Sequence, residues 1–157
     1  MEVGNVVILA NLGEMKVYDA MPRDLEAEAG VKPKNVKLDL VDNRDYVLTH
    51  WKLHEIVTDQ AGRFKGGSQG RGTFSRGSIG ERHSLEQEIE EKVVQEVAKD
   101  ISQIVMDKKA SWYLAMPETI YKRVMDIISP AAKEKLVKAL DKDMMKCDKT
   151  ELIEIFR

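Results

Sequence analysis

The sequence predicts a single α/β domain, residues 1–157, built as a mixed β-sheet with helices packed on it. Three observations predict it. Strand-like runs fill the first forty residues, an apolar stripe of four-residue spacing runs from Leu85 to Val105, and a short apolar run, Ala110 to Met116, is stopped by Pro117. The length of 157 residues suits one domain with a sizeable core. With 43% hydrophobic and 33% charged residues, the composition excludes disorder throughout.

Val3 to Ala10 is nearly continuous in apolar residues, the pattern of a strand buried on both faces. Asn11 to Glu14 supplies turn residues. Met15 and Val17 then alternate with Lys16 and Tyr18 as the second arm of a hairpin. Pro22 to Pro33 reads as a polar connection in which Asp24 to Ala29 makes one helical turn. Val36, Leu38 and Leu40 alternate with Lys37 and Asp39, giving a third strand over Asn35 to Val41. Asp42 to Asp45 reads as a turn, and Tyr46 to Val57 as a strand or irregular segment leading onward.

Residues 62–83 form a Gly- and Arg-rich flexible loop by composition. Seven of the ten glycines lie between Gly62 and Gly80, together with Arg63, Lys65, Arg71 and Arg76, and no acidic residue occurs from Gln60 to Gly80. Glycines remove side-chain bulk, so such a stretch packs no core of its own. Because the chain as a whole has a net charge of −2, this cationic stretch sits on a more acidic body. That asymmetry points to an anionic partner, with Phe64 and Phe74 available to stack on unpaired bases. The alternative is a solvated connection whose charge only keeps it soluble.

A helix follows over residues 84–107. Ser84 and Gln87 have the spacing of a capping box, and Leu85, Ile89, Val93, Val97, Ile101 and Val105, joined by Val94 and Ile104, make one stripe. Glu118 to Ile128 places Ile120, Val124 and Ile127 on one helical face. Ser129 and Pro130 start another helix as N-cap and first position. Helix propensity fits residues 136–146, and Thr150 to Phe156 closes the chain as a short helix capped by Thr150 or Asp148.

Several catalytic and cofactor classes fall away. Cys147 is the only cysteine, which excludes an intrachain disulfide and a thiolate metal cluster. The glycines of the loop lack the Gly-Lys-Ser/Thr ending of a phosphate loop. His50 and His54 have metal-ligand spacing only if helical, and their surroundings look extended, so no metal and no cofactor is expected. Asp141 and Asp143 bracket Lys142, either a carboxylate pair able to hold a cation or, the favoured reading, an exposed charged run, and Met144, Met145 and Cys147 read as packing. The longest apolar run near the N-terminus, Val6 to Ala10, is shorter than a signal core or a membrane span, which predicts a cytoplasmic protein without membrane contact.

The order of motifs resembles the bacterial host-attachment protein family, which is in turn similar to the middle domain of archaeal and eukaryotic class-1 peptide-chain release factors, a ribonuclease H-like fold. The marks are Gly66-Gly67-Ser68-Gln69, Phe74-Ser75-Arg76, Glu81-Arg82-His83, Leu114-Ala115-Met116-Pro117, Leu140-Asp141-Lys142-Asp143-Met144 and Leu152-Ile153-Glu154-Ile155-Phe156. The resemblance implies RNA or the ribosome as partner; the charge of the loop offers Arg63, Lys65, Arg71 and Arg76 for its phosphates, and His83, beside Arg82, either extends that basic surface or helps start the helix. It implies a strand over residues 136–143, against the helix that propensity favours there. It also implies a catalytic role for Gln69, with Gly66 and Gly67 admitting the backbone to a tight RNA site, in hydrolysis of the peptidyl-tRNA ester. Ser68 is inserted relative to the Gly-Gly-Gln tripeptide of the release factors and shifts the glutamine by about 3.3 Å of extended chain. Three functions therefore stand as expectations: an RNA- or ribosome-associated domain, a peptidyl-tRNA ester hydrolase, and a non-catalytic host-attachment-type interaction protein with the loop as spacer.

Overall fold

The structure, a computed structural model, describes residues 1–46 and 71–157, with side chains in the second stretch from residue 85 onward, Glu86 apart. Among the described residues, five strands form one mixed sheet in the order β3-β2-β1-β4-β5. β1 (Val6–Ala10) turns into β2 (Glu14–Pro22), which pairs with it antiparallel so that Ile8 faces Val17. A one-turn helix, α1 (Leu25–Glu28), is capped by Asp24, whose carboxylate accepts the Ala27 N–H at 2.8 Å. β3 (Val36–Asp45) returns along β2.

β3 is longer than its alternation indicates. Asp42 to Asp45, expected as a turn, continue the strand, because the register shifts between Val17 and Tyr18 and Val41 falls at the irregularity. One extra residue reverses the in–out alternation beyond it, so a uniform period cannot be read across the whole strand.

The long helix, α2 (Arg71–Lys108), begins at Arg71 rather than at Ser84, so Ser84 lies inside it and residues 71–83 run in helical backbone instead of loop. Extending an established helix avoids the cost of nucleation. Each interior glycine then costs only about 1 kcal/mol. Its buried stripe is Val93, Val94, Val97, Ala98, Ile101, Ile104 and Val105, whereas Leu85 and Ile89 are only partly covered. Lys109 ends the helix in the left-handed region at φ +51°.

β4 (Trp112–Ala115) then enters beside β1, parallel to it, with Ile8 opposite Leu114. Two helices follow, α3 (Glu118–Ile127) and α4 (Pro130–Glu134), the second capped by the Ser129 hydroxyl, which accepts the Ala132 N–H at 3.3 Å. On α3 the buried residues are Ile120 and Val124. The inward sequence continues at Ile128, while Ile127, expected on that face, is 43% exposed.

Leu136 to Leu140 form β5, a strand parallel to β4, where propensity favoured helix and the resemblance implied strand. Sheet pairing decides: Trp112 donates its N–H to Lys135 O at 3.0 Å, and Met116 donates to Leu140 O at 3.1 Å. Tertiary pairing of this kind outweighs differences in helix propensity of a few tenths of a kcal/mol per residue. The last helix, α5 (Lys149–Ile155), is capped by Asp148 through a full capping box with Glu151.

Two apolar layers hold the sheet. On one face Val6, Ile8, Met15, Val17, Trp112 and Leu114 pack against α2, α3 and α4; on the other, Val7, Leu9, Tyr18, Leu38 and Tyr113 pack under Met144, Met145, Leu152 of α5 and Phe156 at its C-cap. β1 is thus enclosed on both faces, and each of its residues is at most 2% exposed, which accounts for its unbroken apolar run.

Candidate functional site

The carboxyl ends of the three parallel strands β1, β4 and β5 lie at one end of the sheet, the place where open α/β sheets commonly receive ligands. The β1–β2 turn there is fixed by Asn11, whose side-chain oxygen accepts the N–H groups of Gly13 and Glu14, both at 2.7 Å. Tyr46, just past β3, donates its N–H to Gly13 O at 2.8 Å. The chain therefore enters residues 47–70 from a point anchored to this turn.

Tyr46 is 4% exposed, and its hydroxyl donates to Asp100 on α2 at 2.9 Å. Asp100 also pairs with Arg44 at 3.0 Å, and Arg44 in turn reaches Asp42 at 3.1 Å. Burial first, then the Asp100 carboxylate, drives the Tyr46 phenol far above its ordinary range, so it stays a neutral donor. On the return path, Arg123 of α3 splits its guanidinium between Glu90 at 3.1 Å and Glu91 at 2.6 Å, joining α3 to α2 ahead of the buried stripe. Both flanks of the Gly-rich segment are consequently held by named polar contacts.

Of the residues singled out in the sequence, Arg63, Lys65, Gly66, Gly67 and Gln69 lie outside the described residues, as do His50 and His54. Arg71, Arg76, Arg82 and His83 lie on the helical backbone of α2. Among the described residues, no group of three or more His, Cys, Asp or Glu is arranged to hold a metal ion.

A cleft of about 680 Å³ opens beside the β1–β2 turn, between Asn11, Glu14 and Lys16 on one side and Asp143, Met145 and Lys146 on the other. Asp143 is a turn former here, accepting the Met145 N–H at 3.1 Å, which gives one of the two flagged carboxylates a local structural role. Met144 and Met145 are buried as expected. Cys147 borders the same cleft, and its thiol is pushed up by burial and then by Glu151, which disfavours the nucleophilic thiolate. Lys16 was not legible as a site residue, since a lysine alternating along a hairpin arm reads as solvent-facing. Only the loop 141–147 folding over β2 brings it into a cleft.

Among the described residues, no helix is long and apolar enough to cross a membrane. A family model described as "Protein required for attachment to host cells" matches residues 6–155. No curated protein and no solved structure matches the chain.

Proposed function

We propose, for a chain that belongs to the family of proteins required for attachment to host cells, a role as a non-catalytic interaction protein in that attachment. The observation that carries this reading is the family match over residues 6–155, which takes in the sheet, α2 and the helices on both faces. The test is complementation. Cells lacking the chain are expected to lose attachment to host cells, and the unaltered chain or its Gln69→Ala variant to restore it. Failure of a folded Gln69→Ala variant would move the role to ester hydrolysis.

A second reading, contact with RNA or the ribosome in the cytoplasm, is favoured by one particular observation. β5 is a strand where propensity favours helix, and a strand there is what likeness to the release-factor middle domain implies. In this reading Arg63, Lys65, Arg71 and Arg76, extended by Arg82 and His83, meet phosphates, and Gly66, Gly67 and Gln69 face the RNA. If four phosphates are neutralised, log affinity for single-stranded RNA falls against log salt with a slope of about −2.8. A flat salt response rejects it. The two readings are compatible, because a protein required for attachment need not itself touch the host cell.

A further inference from the structure

The cleft beside the β1–β2 turn is lined by opposite charges that, among the described residues, do not pair with one another. Lys16 is half-buried on β2, yet among the described residues its ammonium has a single hydrogen-bond partner, the Met145 carbonyl at 3.4 Å, beyond the usual range for an N–H···O bond. An ammonium carries three donors. Glu14 and Asp143 line the same cleft, but neither forms an ion pair with Lys16 or Lys146 among the described residues. The Asn11 side-chain oxygen is spent on Gly13 and Glu14, which leaves its amide nitrogen as a further donor at the rim.

We infer that this cleft binds a small hydroxylated phosphate ester, a ribose phosphate in chemical class. Lys16 and Lys146 meet the phosphate, while the Glu14 and Asp143 carboxylates accept from sugar hydroxyls. Three properties select that ligand. Lysine ammonium groups act as point charges for phosphate. Carboxylates that are left unpaired repel a bare anion but take hydroxyl donors. The volume, about 680 Å³, lies in the range of small-molecule sites. Met145 is an apolar wall of the cleft, and among the described residues no aromatic side chain lines it, so the described lining recognises the phosphate and hydroxyls rather than a base. Neither functional reading above is needed for this site to exist.

The same chemistry comes from a free sugar phosphate or from the terminal unit of an RNA chain, and a titration separates them. Backbone amide NMR signals of the full chain are followed against ribose 5-phosphate, inorganic phosphate, ribose and an RNA tetranucleotide. The expected result is a saturable response at Asn11, Lys16 and Lys146 to ribose 5-phosphate that is tighter than for phosphate or ribose alone. Lys16→Met should weaken it about tenfold, the worth of one charge-assisted hydrogen bond. The exposed Lys146→Gln is the second variant, at a position whose loss does not threaten the fold. Response to the tetranucleotide but not to ribose 5-phosphate assigns the site to RNA ends and supports the same chemistry. No saturable response to either, or equal binding by both variants and the unaltered chain, overturns the inference.

Discussion

Tyr46 touches three parts of the molecule: its N–H reaches the β1–β2 turn, its ring sits in the core, and its hydroxyl reaches α2. Tyr46→Phe removes only the last of these, and Asp100 keeps Arg44, so a loss of about 1 kcal/mol is expected in urea unfolding. The pH dependence has a definite sign. The folded pKa lies above the ordinary value of 10.0, so the folded state holds a proton that the unfolded chain releases. The stabilisation is complete below pH 10 and is lost as pH rises beyond it, by about 1.4 kcal/mol per pH unit for one proton. Tyr18 and Tyr113 are also raised by burial and contribute in the same direction. Tyr46→Phe is therefore expected to remove one proton's share of the alkaline slope, not all of it; an unchanged slope would place its ionisation elsewhere. None of this was legible beforehand, because Tyr46 lay in the stretch without clean periodicity and Asp100 sits 54 residues away on another element.

At the scale of elements, the caps and ends of helices offer the cleanest tests. Lys109 occupies the left-handed region with its side chain exposed, a conformation that costs an L-residue about 1–2 kcal/mol and glycine very little. Lys109→Gly is expected to raise the unfolding midpoint, with no change in the denaturant slope. Asp148→Ala removes the capping box of α5 and should cost about 1 kcal/mol, measured by the same means. If it costs nothing, Thr150 serves as the cap. The elements whose burial follows a simple period were readable: β1 by its unbroken apolar run, and α2 from Val93 onward by its four-residue stripe. Those decided by partners far along the chain were not. Propensity alone placed a helix on Leu136 to Leu140, and only the hydrogen bonds from Trp112 and Met116 make it a strand. The start of α2 was masked by Gly72, Gly77 and Gly80, residues that signal loop one at a time. The bulge at Val41 hid the end of β3 for the same reason, a local signal overruled by pairing.

For the whole molecule, the arrangement converges on one end of the sheet. The carboxyl ends of β1, β4 and β5, the Asn11 turn, the Tyr46 anchor and the Lys16 cleft all gather there. The candidate site was half legible. Charge counting marked residues 62–83 as the place for an anionic partner, but no count of residues could show that the loop over residues 141–147 brings Lys16 into a cleft. The chain belongs to the host-attachment family, and the proposed non-catalytic role in attachment is separated from the ester-hydrolysis alternative by substitution of Gln69. The most direct measurement is host-cell attachment by cells deprived of this chain and supplied with it again, unaltered or as Gln69→Ala, with equal amounts of folded protein confirmed in each. The account predicts that both restore attachment to the same level. Restoration by the unaltered chain alone would contradict it.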